Sequence, residues 1–247
     1  SYSYIPANSN QFLKSERDTL LNFKYTGGTD SITYQYLWSP LAEYLLKFVP
    51  VWVAPNLITL VAFLILLVVN ILFMLPDQND EIPDWKLVLM AISIIVYQNL
   101  DNMDGKQQEE QVHNYLLESS SPLGMLFDHG ADAVSAFFLA VQVMKILKLS
   151  YGLQLIAIYA FIMNTYFCAM WSQYCVGYFK LGRVNPVDEG LPSYAIFCLV
   201  VTQLDLSGLT KYHIIGTVSQ EIVLFLTLLL IPQTIYMVKD IFKNRIV

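Results

Sequence analysis

Charge is scarce in this sequence. Only 14% of its 247 residues are Asp, Glu, Lys or Arg, and 55% are hydrophobic. A soluble domain carries about 25% charged residues. With a mean hydropathy of +0.49, the chain lacks the polar surface of a soluble globule and reads as a membrane protein. Basic residues are the scarcer sign: 14 Lys and Arg stand against 20 Asp and Glu, for a net charge of −6. That balance excludes nucleic acid as a partner. Cysteine is almost missing. Cys168, Cys175 and Cys198 lie in or beside apolar runs, as small buried hydrophobes do, and set up no disulfide framework. Residues 1–40 are polar and aromatic, without the compact apolar run of a cleavable signal peptide.

What the chain has in abundance is long apolar runs. A bilayer core takes about 20 apolar residues per helix. Six candidate spans follow: Asn56–Leu75, about Trp85–Leu100, one starting near Pro122, about Leu153–Trp171, about Leu191–Leu204, and about Val218–Val238. Ahead of them, residues 31–48 mix apolar and polar side chains at helical spacing, with Leu37, Leu41 and Leu45 four apart. This predicts an amphipathic helix lying in the membrane interface. The expected fold is therefore all-α and integral to the membrane, with about six transmembrane helices plus an N-terminal interfacial helix. No internal repeat or linker divides it. Residues 1–247 form one domain, with 1–48 as tail and surface helix and 49–247 as the bundle.

Six spans put both termini on one side. Lys14, Arg17, Lys24, Lys47, Lys106, Lys180, Arg183, Lys239, Lys243 and Arg245 fall on that side, against Lys86, Lys145, Lys148 and Lys211 on the other. The positive-inside rule makes the richer side cytoplasmic, or the matrix in a mitochondrion.

On that side four carboxylates interrupt the apolar pattern. Asp101 and Asp104 are three apart and share a helix face; Gly124, Asp128 and Asp132 are four apart and form one stripe. Two helices would aim four carboxylates at one point, with Gly124 leaving room for a ligand. No Lys or Arg lies between Lys106 and Lys145 to neutralise them. Unpaired carboxylates at membrane depth are expensive and mark function. A hard divalent cation, Mg²⁺, Mn²⁺ or Ca²⁺, is the partner that oxygen donors at this density suit. The other arrangement these spacings allow is four carboxylates in a wet interfacial loop. Clustering at one face, not at mid-depth between repeated halves, argues against a transporter or channel.

The pattern D-x-x-D-G followed by G-x-x-x-D-x-x-x-D, here Asp101, Asp104, Gly105, Gly124, Asp128 and Asp132, resembles that of the CDP-alcohol phosphotransferases. SSSPLGMLFDHGAD, VAPNLITL at 53–60, YTGGTDS at 25–31, WSQY at 171–174 and NPVDEG at 185–190 resemble the eukaryotic choline/ethanolamine branch. The resemblance implies transfer of phosphocholine or phosphoethanolamine from a CDP-alcohol to diacylglycerol, with release of CMP, in phospholipid synthesis. It implies Mg or Mn held by Asp101, Asp104 and Asp128, with Asp132 at the same metal site and as the base that takes the hydroxyl proton. Gly105 would let the cytidine approach the backbone, and Lys106 and Gly124 would complete the nucleotide site.

Two departures accompany it. Gln108 and Glu109 stand where the family pattern has Ala and Arg, and fourteen residues, 110–123, stand where it has eight, an insertion of six. A guanidinium that would face phosphate has become a carboxylate. The acidic stretch QEEQ thus reads as a rebuilt nucleotide loop, with Lys106 or Arg183 as the replacement cation. Two readings follow. One is an active aminoalcohol phosphotransferase, a homodimer in the endoplasmic reticulum or Golgi. The other is a pseudoenzyme, a structural or lipid-binding subunit among other membrane subunits in the mitochondrial inner membrane. His129, Asn70 and Asn164 are expected to pack or to hydrogen-bond between helices, not to ligate.

Overall fold

The computed structural model describes residues 27–77, 81–115, 122–149, 152–182, 185–204, 214 and 216–244. A short strand β1 (Gly27–Thr29) leads into a π-helical turn (Tyr34–Trp38) and helix α1 (Ser39–Leu46). Then come α2 (Pro55–Met74), α3 (Asp84–Tyr115), α4 (Pro122–Ile146) and α5 (Leu153–Val176). Strand β2 (Phe179–Leu181), a second π-helical turn (Pro186–Gly190), α6 (Leu191–Val201) and α7 (Val218–Asn244) complete the chain. The protein is an all-α membrane protein apart from one two-stranded parallel ribbon, in which Gly27, Gly28 and Thr29 pair with Phe179, Lys180 and Leu181.

Among the described residues three helices are long and apolar enough to cross a bilayer: Pro55–Met74, Leu123–Ile146 and Leu153–Val176. Helix α2 shows how such a helix divides its faces. Pro55 at its first turn has no amide hydrogen to leave unpaired. Ile58, Ala62, Leu66, Val69 and Phe73 are buried, while Leu57, Leu64, Val68 and Ile71 are exposed. A helix apolar on both faces is a lipid-facing helix. The buried face meets Leu87, Met90, Ala91, Ile94 and Tyr97 of α3, Leu139 of α4, and Ala195, Cys198 and Val201 of α6 in one core. Polar pairs fix the register across that core. Gln142 donates to Asn70 at 2.8 Å, Tyr194 donates to Gln142 at 3.2 Å, and Asn164 pairs with Thr234. Asn70 and Asn164 are thus the interhelical hydrogen-bonding residues the sequence suggested. All three cysteines are free, with Cys168 and Cys198 buried.

The helix before the bundle forms, with Trp38, Ala42 and Leu46 buried and Leu37 exposed. Ala42 and Leu46 face Ile58 of α2 and Met103 of α3, and Leu45 packs against the same cluster. A difference concerns the stretch after Gly105. The sequence reads it as a loop, yet α3 continues without a break through Tyr115. Gln107 and Gln111, four apart on one face, give the reason. Gln107 donates to the carbonyls of Pro50 at 3.1 Å and Val53 at 3.0 Å, and Gln111 donates to those of Val51 and Val53 at 2.7 Å. The extended helix clamps the turn between α1 and α2.

At its other end α2 is closed by lysines. Asp77 pairs with Lys86 at 2.5 Å and with Lys145 at 2.9 Å. Lys86 also donates to the Leu75 carbonyl at 2.8 Å, and Lys145 to the Phe73 carbonyl at 2.7 Å. Two ammoniums thus satisfy carbonyls that the helix end leaves unpaired, and Asp77 balances one of the two charges. Removing Asp77 leaves two ammoniums side by side without the carboxylate they share. Asp77→Ala is therefore expected to lower the thermal unfolding midpoint in detergent, and Glu81→Ala, at an exposed site outside the helices, to leave it unchanged. Equal midpoints for the two variants would contradict this account.

Candidate metal and nucleotide site

Helices α3 and α4 bring the carboxylates together. Asp101, Asp104 and Asp128 each offer an oxygen, and these oxygens lie within 4.8 Å of one another. The local reasons are plain. Asp101 and Asp104 are a turn apart on α3, and Asp128 sits in the second turn of α4. Thr59 of α2 donates a hydrogen bond to Asp104 Oδ2, which is buried with it. Asp128 Oδ1 is buried with no hydrogen-bond partner among the described residues. None of the ion pairs among the described residues reaches any of the three. Asp132 stands one turn further along α4, outside this trio. Its Oδ1 accepts a 2.6 Å hydrogen bond from the Tyr97 hydroxyl.

The trio opens on a cavity of about 580 Å³, a size that suits a small organic ligand. Gly105, Lys106, Gly124 and His129 line it, as do Gln108 and Glu109. A Cβ built on Gly105 would meet nothing within 4 Å, so the backbone there is bare toward the cavity and open to close approach. Lys106 points its ammonium at Glu43 of α1, 2.7 Å away. His129 is packed, its ring stacked on Phe179 at 5.2 Å and edge-on to Tyr166 at 5.8 Å. Arg183 lies outside the described residues.

The remaining wall comes from the two ends of the ribbon. Gly27, Gly28, Thr29 and Tyr34 face the cavity from one side, and Leu181, Val187 and Asp188 from the other. A hydrogen-bond web holds them. Asp188 accepts from Thr29 at 2.7 Å and from Asn185 at 2.8 Å, and Glu189 accepts from Ser31 at 2.5 Å and from Thr33 at 2.7 Å. The Trp38 indole donates to the Asp188 carbonyl at 3.0 Å. Asn185 caps the π-helical turn through bonds to the amides of Val187 and Asp188. Burial pushes the Asp188 carboxyl above its ordinary range, and the bonds from Asn185 and Thr29 pull it back part of the way.

Sequence reasoning singled out no role for Thr59, Tyr97 or Asp188. The signals were present. Thr59 belongs to VAPNLITL, Asp188 to NPVDEG, and Tyr97 is four residues before Asp101, on the same helix face.

The residues fit a divalent cation. Three hard oxygen donors converge, and among the described residues one buried oxygen has no partner and no ammonium neutralises the group. Aligned with known proteins, the chain is 33% identical over 182 residues to cholinephosphotransferase 1 of Mus musculus, covering 71% of this chain and 43% of the relative. It is 32% identical over 181 residues to an uncharacterized CDP-alcohol phosphatidyltransferase class-I family protein of Dictyostelium discoideum, covering 72% and 44%. A Schizosaccharomyces pombe protein of the same description is 32% identical over 186 residues, covering 73% and 46%. No family model matches the chain. The chain belongs to the CDP-alcohol phosphotransferase family, in its choline/ethanolamine branch. It spans a little under half the length of these relatives.

Partners that orient a metal-ligating carboxylate typically contribute 10–100-fold to metal affinity. Thr59→Val is therefore expected to weaken Mn²⁺ binding about tenfold or more, read as free Mn²⁺ by electron paramagnetic resonance. Thr59→Ser, which keeps the hydroxyl, is expected to bind as the native protein does. Unchanged affinity in Thr59→Val would separate Asp104 from the metal set.

Proposed function

We propose that the cavity is the site of a metal-dependent CDP-choline or CDP-ethanolamine:diacylglycerol phosphotransferase of phospholipid synthesis. One observation carries the reading: Asp101, Asp104 and Asp128, from two helices, converge on one cavity in a chain related to cholinephosphotransferases. Asp101, Asp104 and Asp128 would hold Mg²⁺ or Mn²⁺, with Asp132 as the ligand nearest to hand should the site take a second ion. The bound cation supplies positive charge to the diphosphate oxygens. The bare backbone at Gly105 and the buried Gly124 make room for the nucleotide, and Lys106 supplies the lining ammonium. The diacylglycerol hydroxyl attacks the β-phosphorus. The new P–O bond forms as the bond to the bridging oxygen breaks, CMP leaves with that oxygen, and Asp132 takes the hydroxyl proton. Tyr97 holds Asp132 in orientation through the 2.6 Å bond.

In this reading six spans place the aspartates on the cytoplasmic side and α1 lies along the interface. Helix α2 runs from the cavity at Pro55 to the lysine staple beyond Met74, and its 20 residues make about 30 Å, the thickness of a bilayer core. As an enzyme the protein would be a homodimer in the endoplasmic reticulum or Golgi, with membrane lipids around it.

Glu109 favours a second reading. It lines the cavity at the position where the family pattern has Arg. A carboxylate there repels the diphosphate that an arginine would hold; Glu109 is exposed, so at about 4 Å the change is worth about 1–2 kcal/mol. The alternative is an inactive relative that serves as a structural or lipid-binding subunit of a larger assembly, such as one of the mitochondrial inner membrane.

Restoring Ala-Arg at 108–109 decides between them. The native protein is expected to bind CDP-choline weakly, and the restored protein about tenfold more tightly. The measurements are nucleotide affinity and CMP release in nanodiscs with Mg²⁺ or Mn²⁺. Ordinary turnover by the native protein, abolished by Asp132→Asn, would refute the inactive reading; no binding by either form would refute the enzyme.

A further inference from the structure

Among the described residues, Lys106 is the only lysine or arginine that lines the cavity. It sits two residues beyond Asp104 on α3, with its side chain 16% exposed, and its Nζ is 2.7 Å from Glu43 Oε1. Glu43 lies on α1 with its side chain 63% exposed, and it is not part of the cavity lining. The short helix α1 therefore reaches the site through one ion pair. Tyr34, Glu109 and Asp188 share the electrostatic neighbourhood of that pair, so Lys106 stands among carboxylates. The hydrogen bond and charge of Lys106 hold the Glu43 carboxyl below its usual range.

A water-exposed ion pair contributes little to stability. A diphosphate is a stronger partner for an ammonium, with more acceptor oxygens and more charge. A lysine ammonium rides on a flexible four-carbon stem and turns readily from one anion to another. We propose that Lys106 takes the anionic part of the ligand and that Glu43 competes for it, so that a diphosphate in the cavity breaks the Lys106–Glu43 pair and loosens α1. This rests on the reading of the cavity as a nucleoside diphosphate site. Glu43 is a positioning residue in it: it holds Lys106 turned toward α1 until an anion arrives, and it makes the N-terminal helix a reporter of occupancy.

The test uses the full chain in nanodiscs with Mg²⁺, in four forms: native, Glu43→Gln, Lys106→Ala and the double variant. CDP-choline affinity is measured for each, together with hydrogen exchange of the α1 amides. Glu43→Gln is expected to bind about two- to fivefold more tightly than the native protein, the yield of releasing an exposed ion pair. Lys106→Ala is expected to bind more weakly, and the double variant to match Lys106→Ala. Ligand is expected to speed exchange in α1 of the native protein, and Glu43→Gln to show the faster exchange without ligand. A tightening that persists in the Lys106→Ala background would be plain removal of a negative charge and would overturn the latch. So would unchanged or weaker binding by Glu43→Gln. If none of the four binds CDP-choline, the substrate reading fails, and magnesium pyrophosphate becomes the probe for the latch. Faster α1 exchange with pyrophosphate in the native protein but not in Lys106→Ala sustains it, and no change in either overturns it.

Discussion

Three carboxylates with no counter-ion among the described residues organise this molecule. Asp101, Asp104 and Asp128 meet at the end of an apolar bundle, where charge is poorly solvated and an unpaired carboxylate costs several kcal/mol. Everything around them serves to keep them there. Thr59 binds Asp104 from α2, Tyr97 secures the neighbouring Asp132, and two glutamines of α3 clamp the turn that delivers α2. A bundle built only for stability would replace such a group with leucine. Its retention, with a cavity at its side, is the physical argument that it binds something positive.

The opposite end of α2 solves the same problem in reverse. There two lysines supply the charge, and helix carbonyls with Asp77 absorb it. That end is satisfied internally and closed. The aspartate end is left unsatisfied and open. The contrast between a complete ion group and an incomplete one separates the structural pole of the bundle from the chemical one.

Much of this was legible in the sequence. The spacing of three between Asp101 and Asp104 and of four along Gly124, Asp128 and Asp132 places the carboxylates, because helical periodicity is local and follows from the chain itself. The apolar runs gave the helices within a few residues, as α5 and α6 show. Asn70 and Asn164 behaved as interhelical glue because no other partner exists inside an apolar span. Other features were not legible, for two reasons. The ribbon joining Gly27–Thr29 to Phe179–Leu181 is a long-range pairing of two three-residue strands, too short to show a period. Helix α3 runs on past Gly105 because Gln107 and Gln111 find carbonyls on another segment, a tertiary gain that overrides the polar, loop-like composition. Which face of the N-terminal segment turns inward was not legible for the same kind of reason: Trp38 is buried where its indole finds an acceptor in the distant Asp188 carbonyl.

The bond from the Trp38 indole to the Asp188 carbonyl spans 150 residues of sequence, and the ribbon beside it, which pairs Gly27 with Phe179, spans slightly more. Chains are made from the N-terminus and helices enter a membrane in turn, so the first strand and Trp38 are synthesised long before their partners exist. One wall of the cavity is complete only when the turn at Pro186–Gly190 has been made and has folded back. During biosynthesis the aspartates are gathered before the chamber around them is walled, and a truncated chain lacking that turn would carry the acidic trio with no enclosure.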